Sequence, residues 1–220
     1  AITIREARLA FDGGPAVLRG LSLEIAAGEV TCLLGPSGCG KSTLLKCIAG
    51  LQNLQSGSVL AGTTTPGPTP RNISFVFQEP TLLPWRSVRD NVQLPLELKG
   101  LHRREDYQAR IDHFLEIVGL SASDQRKFPA QLSGGMKMRA SLARALATDP
   151  DILLLDEPFA ALDDVLRTKL NELLLELVDE RPRTVVFVTH NIAEAIFLSH
   201  RIAIIGRGAV QTLIENPLPR

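Results

Sequence analysis

The stretch GPSGCGKSTLLK, residues 35–46, combines glycines, hydroxyl side chains and one lysine, and then becomes rich in leucine. Its spacing, Gly35 followed after four residues by Gly40, Lys41 and Ser42, matches a loop whose backbone N–H groups wrap a phosphate chain. Glycine reaches the backbone conformations that such a loop needs and lets a ligand approach the backbone closely. The stretch therefore predicts a phosphate-binding loop, with a flexible turn as the alternative.

The residues on either side of this loop favour the phosphate-binding interpretation. VTCLL, residues 30–34, is a short apolar run that predicts a buried strand, and residues 42–49 have a helical pattern that ends at Gly50. A strand, a glycine loop and a helix N-terminus together form an anion site, because the helix dipole adds to the aligned N–H donors. A flexible turn that matched the motif by chance would not be expected to have a buried strand before it and a helix after it.

Length, charge and cysteine content limit the class of protein. The 220 residues are enough for one domain, or one domain with a subdomain, and 24 basic against 24 acidic residues give no charge argument for a nucleic-acid partner. Cys32, Cys39 and Cys47 lack metal-binding spacing, which predicts free thiols in a reducing compartment. Because no apolar run is long enough to span a bilayer and the first residues do not resemble a signal peptide, we expect a soluble, cytosolic protein.

The chain alternates between strand and helix patterns. Two strands are predicted at residues 2–11 and 21–25, on either side of a Gly13–Gly14 turn. A third strand is predicted near Val59, and a fourth at residues 73–77 follows a loop at residues 63–71. Residues 79–147 have a mainly helical pattern, punctuated by Pro80, Pro84, Pro95 and Pro129. Strands return at 152–155, 185–188 and 202–205, separated by helices near 163–178 and 192–199. This order predicts an α/β fold with a mostly parallel sheet covered by helices on both faces, and a helical insertion in its middle.

Two carboxylates follow the apolar strand ILLL at residues 152–155. In an open parallel sheet ligands bind at the carboxyl ends of the strands, so Asp156 and Glu157 should lie beside the phosphate-binding loop. A nucleoside triphosphate binds with Mg²⁺, which Ser42 and Asp156 can hold, while Glu157 can polarise a water molecule. The alternative is that these acids only cap a turn or a helix.

A second glycine-containing motif, LSGGM at residues 132–136, directly precedes a helix that is predicted to run to Thr148. Ser133 has the character of an N-cap, and Gly134 and Gly135 leave N–H groups exposed. The motif therefore predicts a second anion-binding helix start, although ordinary capping gives the same pattern.

The order of these motifs resembles that of the ATP-binding cassette (ABC) ATPases over essentially the whole chain. It comprises the phosphate-binding loop, Gln78 after an apolar strand, LSGGM, ILLLDEP, the Ala161–Leu162–Asp163 segment, and His190 after the strand VVFVT. The resemblance implies a single ABC ATPase domain over residues 1–220. Residues 1–78 and 148–220 would form a P-loop NTPase core with an N-terminal antiparallel β subdomain, and residues 79–147 a helical subdomain that carries LSGGM.

The resemblance also implies roles for individual residues toward ATP and Mg²⁺. Phe11 would stack on adenine in place of the more common tyrosine, which keeps the π-face and loses a hydroxyl. The phosphates would be bound by Gly35, Ser37, Gly38, Cys39, Gly40, Lys41, Ser42 and Thr43. Mg²⁺ would be held by Ser42, Gln78 and Asp156. The catalytic residues would be Lys41, Gln78, Glu157 as general base and His190 as the group that senses the γ-phosphate.

In this family the LSGGM motif contacts ATP that is bound by a second subunit. The resemblance therefore implies a homodimer around two ATP molecules, in which Ser133, Gly134, Gly135 and Asp163 complete the partner's site. Met136 replaces the more general glutamine and makes no strong hydrogen bond, which weakens any contact to the ribose across the interface.

Within the family, three segments resemble the ATPase subunits of bacterial importers for nitrate, taurine and alkanesulfonates: PWRSVRDNV (84–92), LSGGM (132–136) and ENPLPR (215–220). This resemblance implies ATP-driven uptake of a small anionic or polar solute. It further implies two kinds of partner: membrane permease subunits that contact residues 78–86, and a separate solute-binding protein. The chain would lie in the cytoplasm, peripherally on the inner face of the cell membrane, and would have no nucleic-acid partner.

Two other functions remain as alternatives. One is an ABC ATPase that acts on DNA or ribosomes, but the chromosome-associated members need long coiled coils and the translation-type members carry two cassettes in one chain. The other is a module that binds nucleotide without hydrolysing it, which requires a degraded magnesium site or general base. Asp156, Glu157, Gln78 and His190 are all present.

Overall fold

The computed structural model describes residues 1–11, 13–62, 72–101, 105–160 and 162–218. The predicted loop at 63–71, Ala161 and the end of the ENPLPR segment lie outside the described residues. The helices and strands follow one another as β1 (Ile2–Ala10), β2 (Ala16–Ile25), β3 (Val30–Leu34), α1 (Lys41–Ile48), β4 (Ser56–Ala61), β5 (Ile73–Val76), α2 (Val88–Leu98), α3 (Glu105–Ile117), α4 (Gly134–Ala147), β6 (Ile152–Asp156), α5 (Asp164–Glu180), β7 (Thr184–Thr189), α6 (Ile192–Leu198), β8 (Arg201–Gly206) and β9 (Ala209–Glu215).

The larger of two sheets has the strand order β5-β6-β7-β3-β8-β9. Its first five strands are parallel, and β9 runs antiparallel to β8. Every residue of β6 and β7 is buried, as expected for parallel strands that are covered on both faces. Because β3, β5, β6 and β7 are parallel, the loops that follow them leave the sheet at one edge, and this edge carries the candidate site.

The smaller sheet is antiparallel, with the order β2-β1-β4. Alternate residues of β2 are buried, including Leu21, Leu23 and Ile25, so one face of this sheet packs inward. That face, α1 and one side of the large sheet share an apolar cluster. Helices α2 to α5 and the opposite side of the large sheet share a second cluster. Together with the antiparallel sheet and the helices inserted between β5 and β6, this arrangement confirms the predicted fold class.

Three local features differ from the sequence prediction. Strand β2 begins at Ala16 rather than Leu21, and the edge strand β9 was not predicted at all. The residues of β9 are mostly exposed on both faces, so the strand lacks the alternation that identifies one. Pro95 lies inside α2 instead of ending it. The last turn of this helix stays hydrogen-bonded, since the Lys99 N–H donates to the Pro95 carbonyl at 3.3 Å.

A helix that crosses a membrane must be long and apolar, because the bilayer core is about 30 Å thick and offers no hydrogen-bond partners. Among residues that the structure describes, no helix is both long enough and apolar enough to cross a membrane. The three cysteines are buried and form no disulfide, as predicted.

Candidate active site

The phosphate-binding loop connects the end of β3 to the start of α1. Gly38 and Gly40 have left-handed φ values of 77° and 105°, which glycine adopts without strain. At Gly35 an added Cβ would lie 2.2 Å from the carbonyl oxygen of Ile205, and at Gly40 it would lie 2.9 Å from that of Val17. Packing against β2 and β8 therefore explains why glycine occupies both positions.

Lys41 is the first residue of α1, and its side chain is 4% exposed. Its ammonium group donates hydrogen bonds to the carbonyl oxygens of Gly35 at 2.8 Å and Pro36 at 2.9 Å. Carbonyl groups orient a buried ammonium but do not neutralise it. An anionic group at the loop would therefore meet a positioned positive charge.

A cleft of about 390 Å³ lies above this loop and has the size of a small-molecule site. Its lining comes from the smaller sheet, from the phosphate-binding loop and from the segments that follow β5 and β6. Phe11 stands at its edge with 52% of its surface exposed, so its ring is available for stacking. The cleft is lined by Phe11, Val17, Ser37, Gly38, Gly40, Lys41, Ser42, Thr43, Gln78 and Glu157.

Two of the three residues predicted to hold Mg²⁺, Ser42 and Asp156, lie in contact. The Ser42 hydroxyl donates to Oδ1 of Asp156 at 2.8 Å, and Asp156 is only 4% exposed. Burial raises the pKa of the Asp156 carboxyl, and the Ser42 hydrogen bond opposes this shift. A hydroxyl and a carboxylate oxygen at hydrogen-bond distance are hard ligands suited to Mg²⁺, so the residues present fit the ion.

Glu157 and His190 form the second polar pair. The Glu157 backbone is left-handed, with φ 46°, and its N–H donates to the carbonyl of Val188 on β7 at 3.0 Å. This geometry turns the side chain toward His190, whose Nδ1 lies 3.1 Å from Oε2 of Glu157. The pair adjoins the cleft, where a carboxylate oriented by a histidine can accept a proton from water.

The remaining predicted residues lie outside the lining of this cleft. Ser133 caps α4 by accepting the Met136 N–H at 3.2 Å, and Asp163 caps α5 by accepting the Leu166 N–H at 2.9 Å. Ser133 and Gly134 are exposed. Cys39 is buried, with its sulfur 3.8 Å from the Lys41 ammonium nitrogen.

Val17 and several residues around a second cavity near the site were not predicted. Val17 lines the cleft and was missed because β2 was predicted to start four residues after it. The apolar run AVL at residues 16–18 was the available signal. A smaller cavity, of about 70 Å³, adjoins the cleft and is lined by Glu157, Ala160, Arg167, Thr189, His190, Asn191 and Glu194. Nothing in the sequence alone pairs α5 with α6.

Comparison with known proteins agrees with this fold. Residues 18–160 match the family described as ABC transporter. The aliphatic sulfonates import ATP-binding protein SsuB of Bacillus cereus is 41% identical over 205 residues, which cover 92% of this chain and 80% of that protein. The nitrate import ATP-binding protein NrtD of Synechococcus elongatus is 43% identical over 213 residues, covering 94% and 77% of the two chains.

Solved structures give the same result. A dimeric structure of a post-hydrolysis state of the ATP-binding cassette MJ0796, bound to ADP and Pi, superposes with a TM-score of 0.88 at 31% identity, and the match covers 100% of both chains. The chain therefore belongs to the ABC transporter family. It is an ATP-binding ATPase cassette of that family, which confirms the resemblance found in the sequence.

Asp156→Asn is expected to stabilise the folded chain at neutral pH. Because burial raises the pKa of this carboxyl, the folded protein binds its proton more tightly than the unfolded chain does, and folding stability falls as pH rises through this titration. The asparagine side chain does not ionise, so the variant should melt higher at neutral pH, by about 2–4 °C for each kcal/mol gained. It should also lose the further stabilisation that Mg²⁺-ATP gives the wild type.

Thermal denaturation with and without Mg²⁺-ATP measures both effects. Asp179→Asn on the exposed side of α5 is the control and should change neither. A lower melting temperature together with an unchanged response to Mg²⁺-ATP would contradict the assigned role of Asp156.

Proposed function

We propose that this chain is the ATP-hydrolysing subunit of an importer for small anionic or polar solutes such as sulfonates or nitrate. It would act as a homodimer on the inner face of the cell membrane, with permease subunits and a separate solute-binding protein as partners. The observation that carries this proposal is the cleft itself, which unites the phosphate-binding loop, Gln78 and Glu157 in one place. The names of the sulfonate and nitrate relatives support the transport role.

ATP would bind with its base against Phe11 and its phosphates along the loop. Gly35, Gly38, Cys39 and Gly40 supply backbone N–H groups, while the hydroxyls of Ser37 and Thr43 add donors. Lys41 is held in position by two carbonyls and would contact the β- and γ-phosphates. Since the exposed ring of Phe11 offers stacking rather than a hydrogen bond, this edge of the cleft recognises a flat base by its face.

Mg²⁺ would be held by Ser42, Asp156 and Gln78 at the phosphate end of the cleft. When bound, the ion offsets the negative charge of the β- and γ-phosphate oxygens. The Ser42–Asp156 hydrogen bond already places the two oxygens next to each other. Gln78 lines the same cleft and can in addition orient the attacking water.

Hydrolysis would depend on Glu157 as general base. Its carboxylate accepts a proton from the attacking water as the water oxygen bonds to the γ-phosphorus and the bond to ADP breaks. His190 donates its Nδ1 proton toward Glu157 and so holds the carboxylate in one orientation. His190, whose side chain is 65% exposed, would also contact the γ-phosphate.

The second half of each site would come from a partner subunit. Ser133 and Gly134 are exposed at the start of α4 and are not part of the chain's own cleft. We infer that Ser133, Gly134, Gly135 and Asp163 complete the ATP site of a second copy. The dimeric MJ0796 cassette bound to ADP and Pi supports this arrangement. Met136 would weaken the contact to the partner's ribose.

The two alternative functions find less support in this structure. Helices α2, α3 and α4 of the inserted segment are 11, 13 and 14 residues long, far shorter than the coiled coils of chromosome-associated members. A module without turnover would lack the general base or the magnesium site. Here Glu157 bonds to His190, and Ser42 to Asp156.

The proposed helical subdomain at residues 79–147 would pass the effect of hydrolysis to the permease through residues 78–86. The loop after Gln78 is held at two points. Arg144 of α4 donates to the carbonyl and hydroxyl of Thr81 at 2.6 and 2.9 Å, and the buried Asn91 bonds both backbone groups of Leu83. Trp85 follows with 70% of its surface exposed, as expected of an interface anchor and not of a core residue.

Trp85→Ala is therefore expected to leave the ATPase activity of the isolated subunit within about threefold of wild type and to reduce uptake in reconstituted membranes at least tenfold, since truncation of an interface anchor costs about 2 kcal/mol or more. ATPase assays on the free subunit and solute uptake in proteoliposomes measure the two effects. Leu60→Ala, which shortens an exposed side chain of β4, is the matched control.

Equal loss of free-subunit activity and uptake would show that Trp85 supports folding. Uptake at the wild-type level would remove Trp85 from the membrane contact.

A further inference from the structure

A partly buried ion pair joins α5 to α6 next to Glu157 and His190. Glu194 of α6 is 6% exposed, and its Oε1 lies 3.4 Å from Nε of Arg167 of α5. Arg167 keeps 23% of its side chain exposed. Removing one member of such a pair leaves the other charged group partly buried and without its partner, which is destabilising locally. The pair therefore fixes the two helices relative to each other.

The glutamate side of the pair fixes the backbone around His190. Oε2 of Glu194 accepts the Thr189 hydroxyl at 2.5 Å, and the same hydroxyl oxygen accepts the Asn191 N–H at 3.0 Å. Thr189 precedes His190 and Asn191 follows it. The Glu194 carboxylate thus holds the backbone on both sides of His190 through the Thr189 hydroxyl, and not through the imidazole itself.

The arginine side fixes the chain that follows Glu157. Arg167 donates from Nη2 to the Leu162 carbonyl at 2.7 Å and from Nε to the Phe159 carbonyl at 3.4 Å. Its Nη1 also bonds Asp164 at 2.6 Å. These bonds span the segment between Glu157 and the start of α5. They hold the residues on the carboxyl side of Glu157, while the Glu157 N–H is held by Val188.

The cavity of about 70 Å³ shows how close the two pairs lie. Both members of the ion pair and both Glu157 and His190 line its wall. Movement of either helix would therefore change the position of Glu157 relative to His190. A small error of placement between a base and its orienting group lowers the rate of the chemical step with little effect on binding.

We propose that Arg167 and Glu194 are positioning residues that hold Glu157 and His190 in the geometry needed for ATP hydrolysis. This inference rests on the roles proposed above for Glu157 and His190. It adds two residues from outside the motifs that identify the family. Neither residue contacts the nucleotide cleft, so they act on turnover and not on ATP affinity.

The test compares Arg167→Gln, Glu194→Gln and the double variant with wild type in steady-state ATPase assays of the subunit. Each single variant should lower kcat at least tenfold while KM for ATP stays within about threefold, because the lost interaction acts only on the chemical step. The double variant should be no slower than the slower single variant, since the residues act as a pair. Arg89→Gln, which breaks an ion pair with Asp112 in the inserted helices, is the control and should keep wild-type kcat.

Three results would overturn the proposal: kcat within twofold of wild type, a rise in KM at constant kcat, or losses that multiply in the double variant. If Arg167→Gln does not fold, Thr189→Val provides the test instead, because it removes the hydroxyl that joins Glu194 to the Asn191 N–H at the end of β7. Thr189→Ser keeps this hydroxyl. Valine should lower kcat at least tenfold and serine should recover most of it, whereas equal rates for the two would overturn the proposal. Glu157→Gln, assayed in parallel, tests the base assignment separately.

Discussion

Glu157→Gln is expected to lower the rate of ATP hydrolysis by about 10²- to 10⁴-fold, the usual effect of losing a general base. Glutamine keeps the size of the side chain and can still bond to His190, but it cannot accept the proton of the attacking water. ATP affinity should stay within about threefold of wild type, because the proposed phosphate contacts come from the loop and Lys41 and not from Glu157. ATP should then accumulate in the dimer and stabilise it.

Single-turnover hydrolysis, equilibrium nucleotide binding and light scattering in the presence of Mg²⁺-ATP measure these effects. Glu172→Gln on the exposed face of α5 is the matched control and should behave as wild type. A Glu157→Gln enzyme with turnover within about threefold of wild type would show that another group acts as the base.

A second large effect is expected when two inactive variants are mixed. Lys41→Ala removes the phosphate-binding ammonium, and Ser133→Arg places a bulky cation at the exposed start of α4, so each homodimer should have two defective sites. A heterodimer of the two chains has one site in which Lys41 and the partner's Ser133 are both intact. Mixing should therefore restore ATPase activity well above that of either variant alone. Wild-type activity should also rise more steeply than linearly with protein concentration.

Ser123→Arg, at another exposed serine of the inserted segment, controls for the added arginine and should keep wild-type activity. The shared site would be refuted by specific activity that does not depend on concentration together with no recovery on mixing. Recovery that appears when Lys41→Ala is mixed with itself at higher concentration would refute it as well.

The central strands of the fold were predictable because burial decides their sequence. The runs at β6 and β7 are apolar at almost every position, and such runs between helices specify parallel strands covered on both faces. Strand β9 and the position of Pro95 were not predictable in this way. The first is an exposed edge strand that is held by pairing with β8, and the second is tolerated because the surrounding helix remains bonded.

The cleft was predictable because parallel strands bring the ends of distant segments together. Gln78, Glu157 and the phosphate-binding loop follow three strands of one sheet, and His190 follows a fourth. Val17 was missed because β2 was predicted to begin at Leu21 rather than at Ala16. The Arg167–Glu194 pair was missed because its contact joins α5 to α6, and only packing in three dimensions shows which side chains of the two helices meet.

The most direct test of the proposed function is copurification of the tagged Glu157→Gln chain, with Mg²⁺-ATP, from detergent-solubilised membranes of its source cells. We expect an integral-membrane protein to copurify. Proteoliposomes that contain this protein, the wild-type chain and the matching solute-binding protein should take up a sulfonate or nitrate only when ATP is hydrolysed. Copurification of DNA or ribosomes without any membrane protein, with ATPase activity stimulated by that nucleic acid, would contradict the proposed function.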